Sequence, residues 1–114
     1  KLHEHLKPLV IEFEILSYFL VIDKPKIGGE LILYDFLHQQ TTSGMRKNFY
    51  TDQLDAYLGN FRKQYINPDI GDMVIFNGGR IWHKIADFDE DKNRITVGGF
   101  LLSSQDNQTI YCAT

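Results

Sequence analysis

The hydrophobic residues of this chain occur in short runs, each bounded by glycine, proline or asparagine. Runs of this kind, rich in β-branched and aromatic residues, are typical of β-strands. We predict a first strand over residues 15–22 and a second over residues 30–34, both buried on both faces. The last third of the chain predicts three more strands, over residues 73–76, 81–88 and 94–102.

One segment has helical spacing instead. Apolar residues recur three and four positions apart between residues 54 and 61. Thr51 or Asp52 is a suitable N-cap, Gly59 weakens the middle of the helix, and the pair at residues 67–68 ends it. Short strands with one inserted helix predict a mainly β fold, an antiparallel sandwich or open barrel, as a single domain over residues 1–114.

Composition and charge exclude several classes of protein. A chain of 114 residues with 43% hydrophobic and 24% charged residues is an ordinary globular chain, with room for one domain. The net charge is −3 and the basic residues are scattered, so nothing indicates a nucleic-acid partner. No apolar run is long enough to cross a bilayer, so we expect no membrane partner.

The chain has a single cysteine, Cys112. It therefore forms no internal disulfide and no cysteine-rich zinc module, which favours a reducing, cytoplasmic location. The sequence begins at Lys1 without an initiator methionine, and we treat it as a possible fragment of a longer protein.

The last two predicted strands contain the residues best suited to chemistry. If they pair as a hairpin across residues 89–92, His83 faces Gly98. His83, Arg94 and Thr96 then project to one face of the sheet. His83 and Arg94 would then lie about 13 Å apart along that face. One small dicarboxylate would then bind a metal on His83 with one end and Arg94 with the other. A guanidinium suits the second end because it gives a carboxylate two parallel charged hydrogen bonds. Thr96 would add a hydroxyl group.

A purely structural interpretation accounts for the same residues. A single histidine on an apolar strand is usually a hydrogen-bonded core residue, and Arg94 opposite Asp87 would be a cross-strand ion pair. A register slip of one residue would place His83 and Arg94 on opposite faces. Trp82 is expected in the core on the other face, and His38 in a solvated polar loop.

Several segments together resemble the C-terminal half of the iron(II)/2-oxoglutarate-dependent oxygenases. The resemblance extends over nearly the whole chain and is carried by residues 28–31, 71–80, 82–83 and 94–96. Within that superfamily the chain is similar to the carrier-independent halogenases of the welwitindolinone type and their hydroxylase relatives, which share the runs at residues 16–19, 76–80 and 98–101. The resemblance implies a double-stranded β-helix, a jelly roll of the cupin type, here incomplete.

The resemblance also implies roles for particular residues. His83 matches the distal of two histidine ligands of iron, Arg94 the arginine that binds 2-oxoglutarate, and Thr96 its hydroxyl partner. Leu31 matches a position that lines the cosubstrate pocket. The implied cofactor is Fe(II), the cosubstrate is 2-oxoglutarate, and the partners are dioxygen and a small organic substrate.

The first ligand pair of the family, a His-X-Asp/Glu motif, has no match in this sequence. His3-Glu4-His5 does not contain it, although two histidines on one side of a strand are an acceptable ligand geometry. We expect the motif to precede Lys1, and we therefore expect the 114-residue chain alone to be inactive.

The most direct functional prediction is a hydroxylase, a dioxygenase that uses iron and 2-oxoglutarate. A halogenase is the alternative if a small residue replaces the carboxylate ligand and leaves room for halide. A non-catalytic jelly-roll binding module and a cupin-like metal isomerase or sensor are two further alternatives. The last of these would need more histidines near His83 than this sequence offers.

Overall fold

The computed structural model describes residues 15–37 and 53–114. None of the helices in these two ranges has the length and apolarity needed to cross a membrane. The elements of the described part are β1 (Leu16–Asp23), β2 (Leu31–Leu37), α1 (Gln53–Leu58), β3 (Lys63–Ile66), β4 (Met73–Phe76), β5 (Ile81–Ile85), β6 (Ile95–Ser103) and β7 (Ile110–Ala113).

The strands form two antiparallel sheets. The four-stranded sheet has the order β4-β1-β6-β7, and the three-stranded sheet has the order β3-β2-β5. The chain crosses repeatedly between the two sheets, since β1, β4 and β6 belong to one and β2, β3 and β5 to the other. Such crossing is characteristic of jelly rolls. The prediction of a mainly β, double-stranded β-helix fold is confirmed.

The predicted hairpin between the strands of His83 and Arg94 is wrong. β5 pairs with β2, whereas β6 pairs with β1 on one side and β7 on the other. Residues 86–94 therefore connect the two sheets instead of turning back along one of them. His83 pairs with Leu33 and Gly98 pairs with Phe19, so His83 and Gly98 do not face each other in a strand pair.

The inserted helix is confirmed but is shorter than predicted. It ends at Leu58, directly before Gly59, and the bonds Asn60 N→Tyr57 O and Phe61 N→Leu58 O close turns there. Residues 63–66, which the periodicity placed within the helix, form β3 and pair with β2. Pairing along the edge of β2 thus overrides a weak helical signal.

The three-stranded sheet packs one face against α1. The core there is built by Ile32, Tyr34, Phe36 and Leu58, with Leu54, Tyr57, Phe61, Trp82 and Ala86 around it. Trp82 is stacked on Phe36 with ring centroids 6.3 Å apart, so its predicted place in the core is confirmed. Because side chains alternate, Leu31, Leu33, His83 and Ile85 lie on the other face, toward the four-stranded sheet.

The four-stranded sheet also has two unlike faces. Phe19, Val21, Phe76 and Thr96 lie on the inner face, toward the three-stranded sheet. The outer face is apolar and exposed at Met73, Ile75, Val97 and Ile110. β1 is therefore not buried on both faces as predicted, since Leu16 is 37% and Ile22 46% exposed among the described residues.

Candidate active site between the two sheets

His83 lies on β5, on the face that looks into the space between the sheets. Its neighbour on β2 is Leu33, and the pairing of β2 with β5 shifts register between Leu33 and Leu37. Such irregularities turn a side chain away from the regular direction of a ladder and are common beside active sites. The His83 side chain is half-buried.

Two contacts fix the imidazole of His83. Nδ1 lies 2.8 Å from the carbonyl oxygen of Ile81, and a carbonyl only accepts, so Nδ1 carries the proton. The ring meets the ring of Phe76 edge to face, with centroids 4.9 Å apart and an interplanar angle of 80°. A histidine whose Nδ1 donates to a backbone carbonyl has Nε2 available to a metal ion. The geometry thus fits one ligand of a metal.

Arg94 lies directly before β6, also beside a register shift. The pairing of β1 with β6 is irregular between Val21 and Asp23, opposite the start of β6. Nε of Arg94 donates to the carbonyl oxygen of Gly29 at 2.9 Å, and the guanidinium lies over the ring of Phe19, 5.5 Å from its centroid. Burial lowers the pKa of Arg94 below its usual value, but an arginine remains protonated.

Arg94 and Thr96 line a small cleft between the two sheets. The other lining residues are Val21, Lys24, Gly28, Gly29, Asn67 and Pro68. Gly29 has a φ of +75°, and a Cβ there would lie 3.3 Å from Cδ of Arg94, so glycine gives the arginine stem its room. Arg94 and Thr96 thus meet in one cleft, and His83 is not among the residues that line it.

Sequence reasoning missed a second cation in the wall of this cleft. Nζ of Lys24 donates to the carbonyl oxygen of Pro68 at 2.9 Å and forms an ion pair with Asp69 at 3.5 Å. These contacts join the turn after β1 to the loop after β3, which lie more than 40 residues apart in the sequence. The sequence offered no signal for Lys24 other than its place in a turn.

Leu31 remains a prediction as a cosubstrate-lining residue. It is 2% exposed and pairs with Ile85, on the same face of the three-stranded sheet as His83. The residues from this part of the chain that line the cleft are Gly28 and Gly29, which precede Leu31.

The described residues provide one candidate metal ligand. Within residues 15–37 and 53–114, no three His, Cys, Asp or Glu side chains are grouped so that they could hold a metal ion. His3 and His5, the weaker candidates from the sequence, lie outside the described residues, as does the loop histidine His38.

His83 and Arg94 belong to different sheets. They lie on the two sheet faces that are turned toward each other.

Two solved structures have a similar fold. Both are crystal structures of an N-substituted L-amino acid dioxygenase from Burkholderia ambifaria AMMD, one of them in complex with alpha-KG. Each matches 85% of this chain with a TM-score of 0.64, at 19% identity for the complex and 20% for the other structure. The match covers 38% of the dioxygenase chain, so this protein spans well under half of its length.

Comparison at the level of sequence families gives a match over almost the whole chain. No curated protein matches this sequence. The family described as carrier-protein-independent halogenase WelO5 matches residues 2–114. The match includes every strand of both sheets, the histidine on β5 and the arginine before β6. With its jelly-roll fold shared with a dioxygenase, this chain therefore belongs to the carrier-protein-independent halogenase WelO5 family.

Proposed function

We propose that this chain provides the distal iron ligand and the cosubstrate-binding arginine of an iron(II)/2-oxoglutarate-dependent oxygenase that hydroxylates a small organic substrate. One observation carries the proposal. His83 and Arg94 lie on facing sides of the two sheets, and each spends one nitrogen on a backbone carbonyl. In the described part of the chain, no hydrogen bond engages Nε2 of His83 or the terminal nitrogens of Arg94, and these atoms would bind a metal and a carboxylate.

The residues of the chain then have separate tasks. His83 binds iron through Nε2, and its bond to the carbonyl of Ile81 holds the ring in place. Arg94 binds the far carboxylate of 2-oxoglutarate with two parallel hydrogen bonds, and the Thr96 hydroxyl donates a further one. The ring of Phe19 lies against the guanidinium and attracts it. The iron, when bound, lets dioxygen convert 2-oxoglutarate and substrate into succinate, carbon dioxide and hydroxylated product.

The remaining metal ligands are proposed to come from outside the described residues. We propose that a His-X-Asp/Glu pair elsewhere in the full-length protein completes the iron site, and that the 114 residues alone are inactive. Function is therefore proposed for the natural full-length protein, in which these strands form the C-terminal part of the double-stranded β-helix.

Halogenation is the second candidate, and one observation favours it. The family that matches residues 2–114 is described as a halogenase. The same His83 and Arg94 would serve both reactions, because the difference lies at the carboxylate ligand of the iron. Product analysis with chloride present distinguishes the two reactions.

The proposal predicts succinate formation that depends on His83. In the full-length protein supplied with Fe(II), 2-oxoglutarate and dioxygen, we expect succinate release, and we expect His83→Gln to lower its rate at least 100-fold. Loss of a metal ligand removes the site at which the cosubstrate is activated. The measurement is succinate produced per iron, together with the iron content of each purified variant.

The matched control is Lys84→Gln, the next residue on β5, whose side chain points to the opposite face of the sheet. It should keep succinate release within about twofold of the wild-type rate. Iron-loaded full-length protein that binds 2-oxoglutarate but never releases succinate would contradict the enzyme and support a non-catalytic binding module.

A further inference from the structure

Two phenylalanine rings connect His83 to Arg94. The His83 imidazole contacts Phe76 edge to face at 4.9 Å, and Phe76 contacts Phe19 edge to face at 6.3 Å and 76°. At the other end of this pair of rings, the guanidinium of Arg94 lies over Phe19, 5.5 Å from the ring centroid. A continuous series of ring contacts therefore extends from the candidate metal ligand to the candidate carboxylate anchor.

The strand register fixes the positions of the two rings. On the neighbouring strands β1 and β4, Phe19 pairs with Val74 and Ser17 pairs with Phe76. The two phenylalanines are thus diagonal neighbours on the inner face of the four-stranded sheet. Diagonal neighbours on adjacent strands are near enough for aromatic side chains to meet, so the separation of the rings follows from the backbone.

Two glycines leave room for these rings. Gly98 pairs with Phe19, and a Cβ at Gly98 would lie against the Tyr18 carbonyl oxygen and 2.9 Å from Cβ of Phe19. A Cβ at Gly78 would lie 3.2 Å from Cε2 of Phe76. Gly98, which the sequence placed opposite His83, therefore lies opposite Phe19 in the structure.

We propose that Phe19 and Phe76 are positioning residues that set the distance between Nε2 of His83 and the guanidinium of Arg94, and so select dicarboxylates of five carbons. This inference rests on the proposed function, because it presumes that one diacid joins the two groups. The rings are rigid and apolar, and they suit the methylene carbons between two carboxylates.

Each ring controls one end of the diacid. Without Phe76, the imidazole is held by the bond from Nδ1 to the Ile81 carbonyl alone, and it can tilt about that bond. Without Phe19, the guanidinium loses the aromatic face that attracts it. In both cases the two binding groups no longer have a fixed separation, so preference for one length of diacid should decline.

The test compares three 2-oxo diacids of four, five and six carbons, namely oxaloacetate, 2-oxoglutarate and 2-oxoadipate. Their dissociation constants are measured by anaerobic calorimetry on full-length protein loaded with Fe(II). Wild-type protein should bind 2-oxoglutarate at least tenfold more tightly than the other two. Phe19→Leu and Phe76→Leu should each weaken 2-oxoglutarate binding about fivefold and change 2-oxoadipate binding less than twofold.

Ile75→Ala is the matched control. Ile75 precedes Phe76 on β4 but lies on the outer face of the sheet and is 55% exposed, so its replacement should leave the preference among the three acids unchanged. Phe76→Met, which keeps most of the volume without a ring, should reproduce the loss of preference and serves if Phe76→Leu does not fold. Equal weakening of all three acids, or an unchanged preference in both leucine variants, would overturn the inference. Wild-type protein that binds none of the acids would instead overturn the proposed function.

Discussion

Replacing Arg94 with methionine is expected to weaken binding of 2-oxoglutarate about 100-fold, which corresponds to about 2.7 kcal/mol. Nε is bonded to the Gly29 carbonyl, and within residues 15–37 and 53–114 no hydrogen bond engages the two terminal nitrogens, which the far carboxylate would use. Hydrogen bonds to charged groups contribute about 1.5–3 kcal/mol each, and methionine provides none. Methionine keeps an apolar stem beside Phe19, while the change removes the guanidinium together with its Nε bond to the Gly29 carbonyl. Calorimetry on iron-loaded protein without dioxygen measures the affinity.

Arg94→Lys separates charge from geometry at the same position. A lysine keeps the positive charge but cannot give a carboxylate two parallel bonds from one planar group. We therefore expect about a tenfold loss of affinity, between the wild-type and methionine values. Binding by Arg94→Met within twofold of wild type would show that another group, such as Lys24 in the wall of the same cleft, holds the carboxylate.

Gly98→Val is expected to destabilise the fold by about 3 kcal/mol or more. The central strands β1 and β6 approach so closely at this position that a Cβ would collide with the Tyr18 carbonyl oxygen and lie 2.8 Å from Cα of Phe19. Tyr18 O and Phe19 Cα are both backbone atoms, so no flexible end of a side chain can move aside to make room. The sheet would have to open where Phe19 supports Arg94. Urea unfolding followed by circular dichroism measures the loss.

Val97→Ala is the control for this substitution. Val97 precedes Gly98 on β6 but lies on the outer face and is 62% exposed. A change at such a site usually alters stability by no more than about 0.5 kcal/mol. If Gly98→Val unfolds at the same urea concentration as Val97→Ala, the close approach of β1 and β6 is not what makes glycine necessary.

The existence of most strands could be predicted from the sequence, because it depends on local pattern. The run of residues 73–76 reproduces β4, and the runs at residues 15–22 and 94–102 differ from β1 and β6 by one residue at each end. Glycine, proline and short polar segments bound these runs, which explains the accuracy. β7 was not predicted, since its four residues form a strand through pairing with β6.

The partners of the strands could not be predicted from local pattern. A charged turn between two β-runs is typical of a hairpin, yet residues 86–94 lead from one sheet to the other. The sequence placed His83 and Arg94 on one face of a single hairpin. In the structure they belong to different sheets. Each projects from its own sheet into the same interior, where Phe76 and Phe19 lie between them.

The residues that complete the site are connected by distant contacts. Lys24 reaches the loop at residues 67–69, and Arg94 reaches Gly29 across 65 positions. Phe19 and Phe76 lie in runs shared with the halogenase branch, but nothing in the sequence indicates that their rings meet. The strand pattern drew attention to His83, Arg94 and Thr96, but it also fits a core histidine and a surface ion pair. The resemblance to the oxygenases is what favoured the metal and cosubstrate roles.

The central claim is that His83 and Arg94 bind opposite ends of one diacid between the two sheets. A crystal structure of the full-length protein with Fe(II) and 2-oxoglutarate, grown without dioxygen, tests it most directly. The account predicts iron on Nε2 of His83, the 2-oxo acid end of the diacid on that iron, and the far carboxylate on both terminal nitrogens of Arg94. A diacid bound elsewhere, or an iron site that does not include His83, would contradict it.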